Sequence, residues 1–473
     1  MSTEAILSRV TGAIDGLILA AEPFHGLFPS ILDRGSLTML AEMPPLIEGQ
    51  RVTDRAFRGS NLIHDEVTLF TMYALARDGY TAAADRYIDR FANHCTGTVS
   101  GLFPWGEHAY WNLDEDAPGC GYKLKDPAST MGLTHDHLRA IPLWNWEKLH
   151  AANPQCAARF GEGLDQHWRP GPPRRYIRHA FINDMVPWEP NPKGSRSSCD
   201  FPRHGGFYIF DWAFAYSVTA RTDFLDRIRE MLDYWWPMRR DDGLLMLQSQ
   251  VRPEITRHYG LIAPGQTLSL ASSLLEAANL LEETEGGLAE TMRERACVYV
   301  DGFLAAPHDV ERGVFIDTFK ETEPPGNHAM AVWGSKYGKW PSAYVALVCT
   351  CIFRLTADRR LLSWAEAVGR EYLRHPFPVD EQVPAMDAGM GLGLLADLYD
   401  VTGDRTWLDG GLIRAEELTD IYFDEKPMPR GAAGIDWYDS QMGPGFLLHG
   451  LARVVLLDQS RENCPLGPDY SGR

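Results

Sequence analysis

Met390-Gly391-Leu392-Gly393-Leu394-Leu395-Ala396-Asp397-Leu398-Tyr399-Asp400-Val401-Thr402, then the joint Gly403-Asp404-Arg405-Thr406, then Trp407 to Phe423: this stretch decides the fold. On both sides of the joint, apolar residues return every three or four positions, as Leu408, Leu412, Ala415 and Tyr422 do in the second half. That spacing gives an apolar stripe on a helix and predicts a helical hairpin. The same joint occurs twice more. Thr219, Thr356 and Thr402 are each followed, five and six positions later, by Phe224-Leu225, Leu361-Leu362 and Trp407-Leu408. Polar or small residues connect them (Arg221-Thr222-Asp223, Asp358-Arg359-Arg360, Gly403-Asp404-Arg405), so the chain carries a weak internal repeat of helix, turn and helix.

Working outward, the same periodicity predicts pairs over 66–77 with 81–94, 206–219 with 224–236, and 344–356 with 361–373. Further helices are expected at 137–150, 156–167, 267–283, 288–304 and 441–457, and an amphipathic one lies near the start on Ile6, Val10, Ile14 and Leu17. The total is roughly twelve to fourteen helices. The best strand candidates are Leu244–Gln250 and Val314–Phe319. So many hairpins either spread as a solenoid or close on themselves. Unequal repeat lengths and long Pro/Gly/aromatic segments favour closure. The expected fold is all-α, an (α/α)6 or (α/α)7 toroid of helical hairpins, and with no Gly/Ser-rich linker residues 1–473 read as a single catalytic unit. Segments 99–133, 170–203 and 320–340 are the expected cleft builders, because long loops of this kind are usually functional.

Composition narrows the partners. The 473 residues are 45% hydrophobic and 23% charged, enough for a large core, and the net charge is −19. That charge disfavours nucleic acid and anionic membranes. No run approaches the roughly 18 apolar residues of a membrane span. No secretory signal is recognised in Met1 to Glu22, and the eight cysteines lack zinc-type spacing, so buried thiols and a cytoplasmic location are expected. The sequence leaves the oligomeric state open.

The candidate chemistry lies in three histidine motifs. The first runs Phe103-Pro104-Trp105-Gly106-Glu107-His108-Ala109-Tyr110-Trp111; the others are Thr134-His135-Asp136-His137 and Tyr176-Ile177-Arg178-His179. Imidazoles beside carboxylates suit a divalent metal or proton transfer. Tryptophan faces suit the apolar side of a sugar ring. A lone histidine is more often structural than a ligand, Asp136 or Thr134 could cap the expected helix at 137, and Arg178 could belong to a solvated basic loop with Arg169, Arg174 and Arg175. Against those readings, the arginines concentrate locally in an acidic chain, as a pocket for a uronate carboxylate would require. Arg203-His204-Gly205-Gly206 precedes an aromatic helix from which Arg203, His204 and Tyr208 could reach a site, and Asp387 stands in a late glycine-rich motif. Trp105, Glu107, Trp111, His135, His137, Arg203 and Asp387 are thus the expected substrate contacts. Asn61, His64, Asp65 and Glu66, at the head of an early helix, are further cleft candidates.

From about Asn61 to Tyr208 the chain resembles the α/α-toroid uronate-active enzymes, above all polysaccharide lyase family 2 and related pectate-lyase-like proteins. The resemblance implies a metal, typically manganese with calcium or zinc as other choices, held by two histidines and a glutamate. An arginine directly before the second histidine is the family's base. The matching positions are His108, Asp136 in place of the glutamate, and His179, with Arg178 before it. Aspartate is one methylene shorter than glutamate, which leaves His135 and His137 as rival ligands. Arginine holds its proton to a pKa above about 12, so His204, Tyr208 and Tyr176 are easier bases. The resemblance implies metal-assisted β-elimination of an anionic oligosaccharide. A glycoside hydrolase with paired carboxyls (Glu107 with Asp136 or Asp387), a sugar isomerase or epimerase, and a non-enzymatic oligosaccharide-binding toroid are the competing expectations.

Overall fold

The structure is a computed structural model and describes residues 1–77, 79–169, 175–183, 200–249, 260–309, 312–320, 329–334 and 340–472. Its helices are α1 (Thr3–Ala21), α2 (Leu62–Leu75), α3 (Tyr80–Arg90), α4 (Gly121–Lys125), α5 (Leu143–Ala152), α6 (Cys156–Gly163), α7 (Pro202–Thr219), α8 (Thr222–Trp235), α9 (Pro264–Leu281), α10 (Gly286–Ala305), α11 (Ser342–Thr356), α12 (Arg359–Arg374), α13 (Ala385–Thr402), α14 (Arg405–Phe423) and α15 (Pro444–Gln459).

The repeated joint has one construction. Thr219, Thr356 and Thr402 turn their hydroxyls back onto the carbonyls of Ala215, Ile352 and Leu398, at 2.6, 2.8 and 2.6 Å. The same oxygens accept the amides of Arg221, Asp358 and Asp404. Between them Ala220, Ala357 and Gly403 are left-handed, with φ of 55°, 60° and 73°, which ends the helix and reverses the chain. Asp358 and Asp404 then cap the next helix.

In each of these hairpins the first helix is buried nearly all round and the second on one stripe only. In α13 every residue from Ala385 to Leu398 is buried, whereas α12 buries one face. The first helices therefore line the inside and the second wrap the outside. Helices α7, α9, α11, α13, α15 and α2 contact one another in that order, the α5–α6 hairpin fills the interval between α2 and α7, and α1 packs on α14 and α15. The ring is closed, an α/α toroid with seven helical pairs among the described residues. The packing of α13 on α15 needs Gly389, where a Cβ would overlap the Phe446 backbone of α15. One apolar cluster runs from Ile6 to Leu466. Among the described residues no helix is long and apolar enough to cross a membrane, and the seven described cysteines are free thiols.

Two expectations need correction. Among the described residues neither strand candidate forms a ladder: Met246 and Phe319 each bridge Ile262, Val314 bridges Asp309 and Ile316 bridges Ala329, all as isolated bridges. The helix expected from His137 begins only at Leu143. Thr134–Asp136 instead pairs antiparallel with His179–Phe181, in the register Thr134↔Phe181, His135↔Ala180, Asp136↔His179. Backbone pairing with a distant segment outweighs the local capping signal.

Candidate metal centre

The loop before strand Ala109–Asn112 carries Glu107 and His108 and is clamped from the head of α2. The Asn61 amide nitrogen donates to the carbonyls of Gly106 (2.9 Å) and Ala109 (3.3 Å). Gly106 has φ +95°, and a Cβ there would overlap the Asp136 carbonyl oxygen. Only glycine lets this loop lie against the 134–136 strand. The clamp and the glycine bring Glu107 and His108 beside Asp136, and strand pairing brings His179 opposite it.

One ligand atom each from Glu107, His108, Asp136 and His179 lies within 4.8 Å of the other three. Bonds of roughly 2.0–2.3 Å to one centre place ligand atoms this close. His108 presents Nε2, which is 3.4 Å from Glu107. Its Nδ1 faces the Thr53 carbonyl at 3.3 Å and Asp54 at 3.5 Å, a partner set that keeps the proton on Nδ1 and the lone pair on Nε2. Burial pushes the His108 imidazole well below its usual range, and His179 and Arg178 add to that; His179 is lowered by burial and by Arg178. Both rings are neutral, as ligands must be. Burial alone would raise the Asp136 carboxyl, but Arg178, His179 and His204 outweigh it and hold Asp136 well below the usual carboxylate range. Burial raises Asp54 against the opposing pull of Arg51. This mixed nitrogen and carboxylate set fits a divalent cation such as manganese or zinc. His179, with 24% of its side chain exposed against 0% for Asp136, marks the open side.

Arg178 lies across the cluster. Its Nη2 is 2.7 Å from Asp136 Oδ2 and also pairs with Glu107, while its Nε donates to His179 Nε2 at 3.1 Å. The face of Phe201 lies 5.2 Å from the guanidinium, and the His204 ring stacks on Phe201 at 5.6 Å. His204, in the first turn of α7, is fully buried, and neither ring nitrogen has a hydrogen-bond partner among the described residues. Its Nε2 is 3.7 Å from Asp136 Oδ1, and burial keeps it neutral. Arg203 lies near Trp340 (5.4 Å to the ring) and Tyr344 (3.4 Å).

Several expected contacts are buried. Trp105 is fully buried among Phe91, Phe103, Trp146 and Phe160, so it is core and not a cleft wall. Its Nε1 donates to His135 Nε2 (2.9 Å), His135 Nδ1 then donates to His167 Nε2 (2.9 Å), and His167 Nδ1 to the Ile177 carbonyl (2.7 Å). The donor-only indole fixes this order of tautomers. His135 thus faces inward and is neither ligand nor sugar contact. His137 is likewise buried, bonded to Asp211 at 2.7 Å. Trp111 donates to Asp116 and packs on His94. The Tyr208 hydroxyl is buried at His167 (3.1 Å) and the Tyr176 hydroxyl donates to the Phe201 carbonyl, which removes both as bases. Asp387 is buried in the first turn of α13, and burial raises its carboxyl well above the usual range. Of the basic run, Arg174 and the side chains of Arg169 and Arg175 lie outside the described residues, as do 184–199 and 321–328 of the expected cleft loops. Sequence reasoning missed Arg51, Thr53 and Asp54, whose only signal is a run of charges without periodicity.

No protein-family profile and no curated protein matches the chain. Solved structures do. An unsaturated glucuronyl hydrolase specific for heparin aligns over 97% of this chain and 99% of its own, at 12% identity and TM-score 0.49. A sugar epimerase from a ruminal bacterium aligns over 96% and 98%, at 11% and 0.48. The cellobiose 2-epimerase of Spirochaeta thermophila aligns over 96% and 97%, at 13% and 0.45. The resemblance to polysaccharide lyase family 2 specifically rests on the short histidine motifs alone.

Proposed function

We propose that this chain is a carbohydrate-active enzyme acting as a single catalytic unit on short anionic oligosaccharides, by β-elimination at a 4-linked uronate. The observation that carries the reading is the convergence of His108, Asp136, His179 and Glu107 around Arg178, with the neutral His204 3.7 Å from Asp136. A divalent cation bound there, with manganese as our first choice, supplies Lewis-acid stabilisation of charge developing on the sugar carboxylate. The chain's own residues do the rest. Thr53 and Asp54 orient His108, and the strand register orients His179. His204 accepts the C5 proton at a ring nitrogen. As that C–H bond breaks, its electron pair becomes the C4–C5 double bond, and the C4–O bond opens with its pair on the oxygen of the leaving sugar, which takes a proton from water.

Hydrolysis is the second reading: it needs two carboxyls at one site, and Glu107 and Asp136, which share the cluster, are the pair the geometry offers. Of the similar folds, one is named a hydrolase and two are named epimerases. Incubation of manganese-loaded protein with a panel of uronate oligosaccharides decides. Near-ultraviolet absorbance with product masses summing to that of the substrate supports elimination. Water incorporation without absorbance supports hydrolysis, and unchanged mass with a changed sugar supports epimerisation.

A further inference from the structure

One guanidinium holds three of the donor atoms a cation would need. Arg178 pairs through Nη2 with Glu107 Oε2 and, at 2.7 Å, with Asp136 Oδ2, and its Nε donates to the nitrogen lone pair of His179. The single lone pair of His179 Nε2 cannot serve a cation and the guanidinium together, and a cation on the same carboxylate oxygens is pressed against the guanidinium charge. Resting on the cation reading above, we propose that Arg178 is the resident counter-ion of this cluster and that a divalent cation displaces it. Displacement turns Arg178 into the anchor for the carboxylate of the sugar.

The charges set the direction. Glu107, Asp136 and Asp54 face Arg178 and Arg51, so the cluster has a net charge of minus one when all five are ionised, and zero when Asp54 holds its proton. In either state it does not attract a second carboxylate. A dication makes it positive and takes over the neutralisation of Glu107 and Asp136. The freed guanidinium has the planar fork that grips a carboxylate through two hydrogen bonds. Room to move lies on the solvent side: 13% of the Arg178 side chain is exposed, whereas Asp136 is enclosed. The face of Phe201, 5.2 Å away, gives the displaced group a surface to lie on. Binding is then ordered, cation first and sugar acid second, and the pocket selects monocarboxylate sugars over neutral ones.

The test is calorimetric titration of Mn2+ into metal-free wild type, Arg178→Gln and Arg178→Lys. Removing the competing guanidinium should tighten Mn2+ binding by about tenfold or more in Arg178→Gln. Arg178→Lys, which keeps the charge and loses the fork, should fall between. Free galacturonate should bind Mn2+-loaded wild type, and bind neither metal-free wild type nor loaded Arg178→Gln. Arg178→Gln removes the guanidinium paired with the fully buried Asp136. If it melts without metal, the melting-temperature gain on adding Mn2+ replaces the titration and should exceed that of wild type. Equal or weaker Mn2+ binding in both variants overturns this proposal and leaves the cation reading standing. Failure of wild type to bind Mn2+ overturns both.

Discussion

Asp136 and His179 are register partners in the antiparallel pair of 134–136 with 179–181, so each stands directly opposite the other across the ladder. Directly opposed residues on two antiparallel strands keep their Cβ atoms within about 5.5 Å. Here that spacing places His179 Nε2 3.5 Å from Asp136 Oδ2. Two candidate ligands are thus positioned by backbone hydrogen bonds, before any side chain chooses a rotamer. A metal needs that rigidity.

The partner behind His108 should matter almost as much as the ligand. Asp54 Oδ1 and the Thr53 carbonyl sit on the Nδ1 side of the ring and keep Nε2 toward the cluster. Asp54→Asn leaves all four donor side chains in place. We expect it to weaken Mn2+ binding by about 10- to 100-fold, read by calorimetry with folding checked by circular dichroism. Unchanged affinity would remove Asp54 from the site.

Gly106→Ala should cost stability and the site together. The residue has φ +95°, and its new methyl would meet the Asp136 carbonyl oxygen. Strain at positive φ costs on the order of 1–3 kcal/mol, and the overlap adds to it. Urea denaturation should show the loss, and Mn2+ affinity should fall even where the variant remains folded.

Asp65 gives a pH-dependence with a definite sign. Its carboxyl is buried in α2 with the Tyr87 hydroxyl at 2.8 Å, and burial raises it from 3.8 to about 8. Between those values the folded chain keeps a proton that the unfolded chain has released. The unfolded state then binds fewer protons, so stability falls as pH rises through that window. Asp65→Asn should flatten the fall. Relative to wild type it should gain up to several kcal/mol between pH 5 and pH 8, measured by urea denaturation at both values. A parallel pH-dependence in the two proteins would show that Asp65 is not the titrating group.

The hairpins were legible because their stripes and joints are local: Thr219, Thr356 and Thr402 each announce a turn within six residues. The heads of the inner helices were less so. Helix α7 begins at Pro202 and α13 at Ala385, each several residues ahead of the apolar pattern. Their first turns carry Arg203, His204 and Asp387, polar groups that break the periodicity from which helices are read. These polar groups thus hid the ends of the elements that hold them. The pairing of His108 with Asp54 and the inward turn of Trp105 and His135 depend on contacts between distant segments. No local pattern encodes them.

His204 offers the sharpest separation of chemistry from scaffolding. It is fully buried, burial favours its neutral form, both ring nitrogens lack hydrogen-bond partners among the described residues, and it lies 3.7 Å from the carboxylate of Asp136. A histidine kept only for packing gains nothing from two unsatisfied nitrogens, which cost free energy when buried. A base awaiting a substrate proton has one of them open by necessity. His204→Gln retains the volume and a hydrogen-bonding amide but cannot take a proton. We expect kcat on a 4-linked uronate oligosaccharide to fall by about 10²- to 10⁴-fold, while Mn2+ affinity stays within about twofold of wild type. If the Mn2+ affinity drops as far as kcat, His204 acts through Asp136 as a positioning residue. If neither changes, the proton goes elsewhere and Arg178 becomes the base to test next.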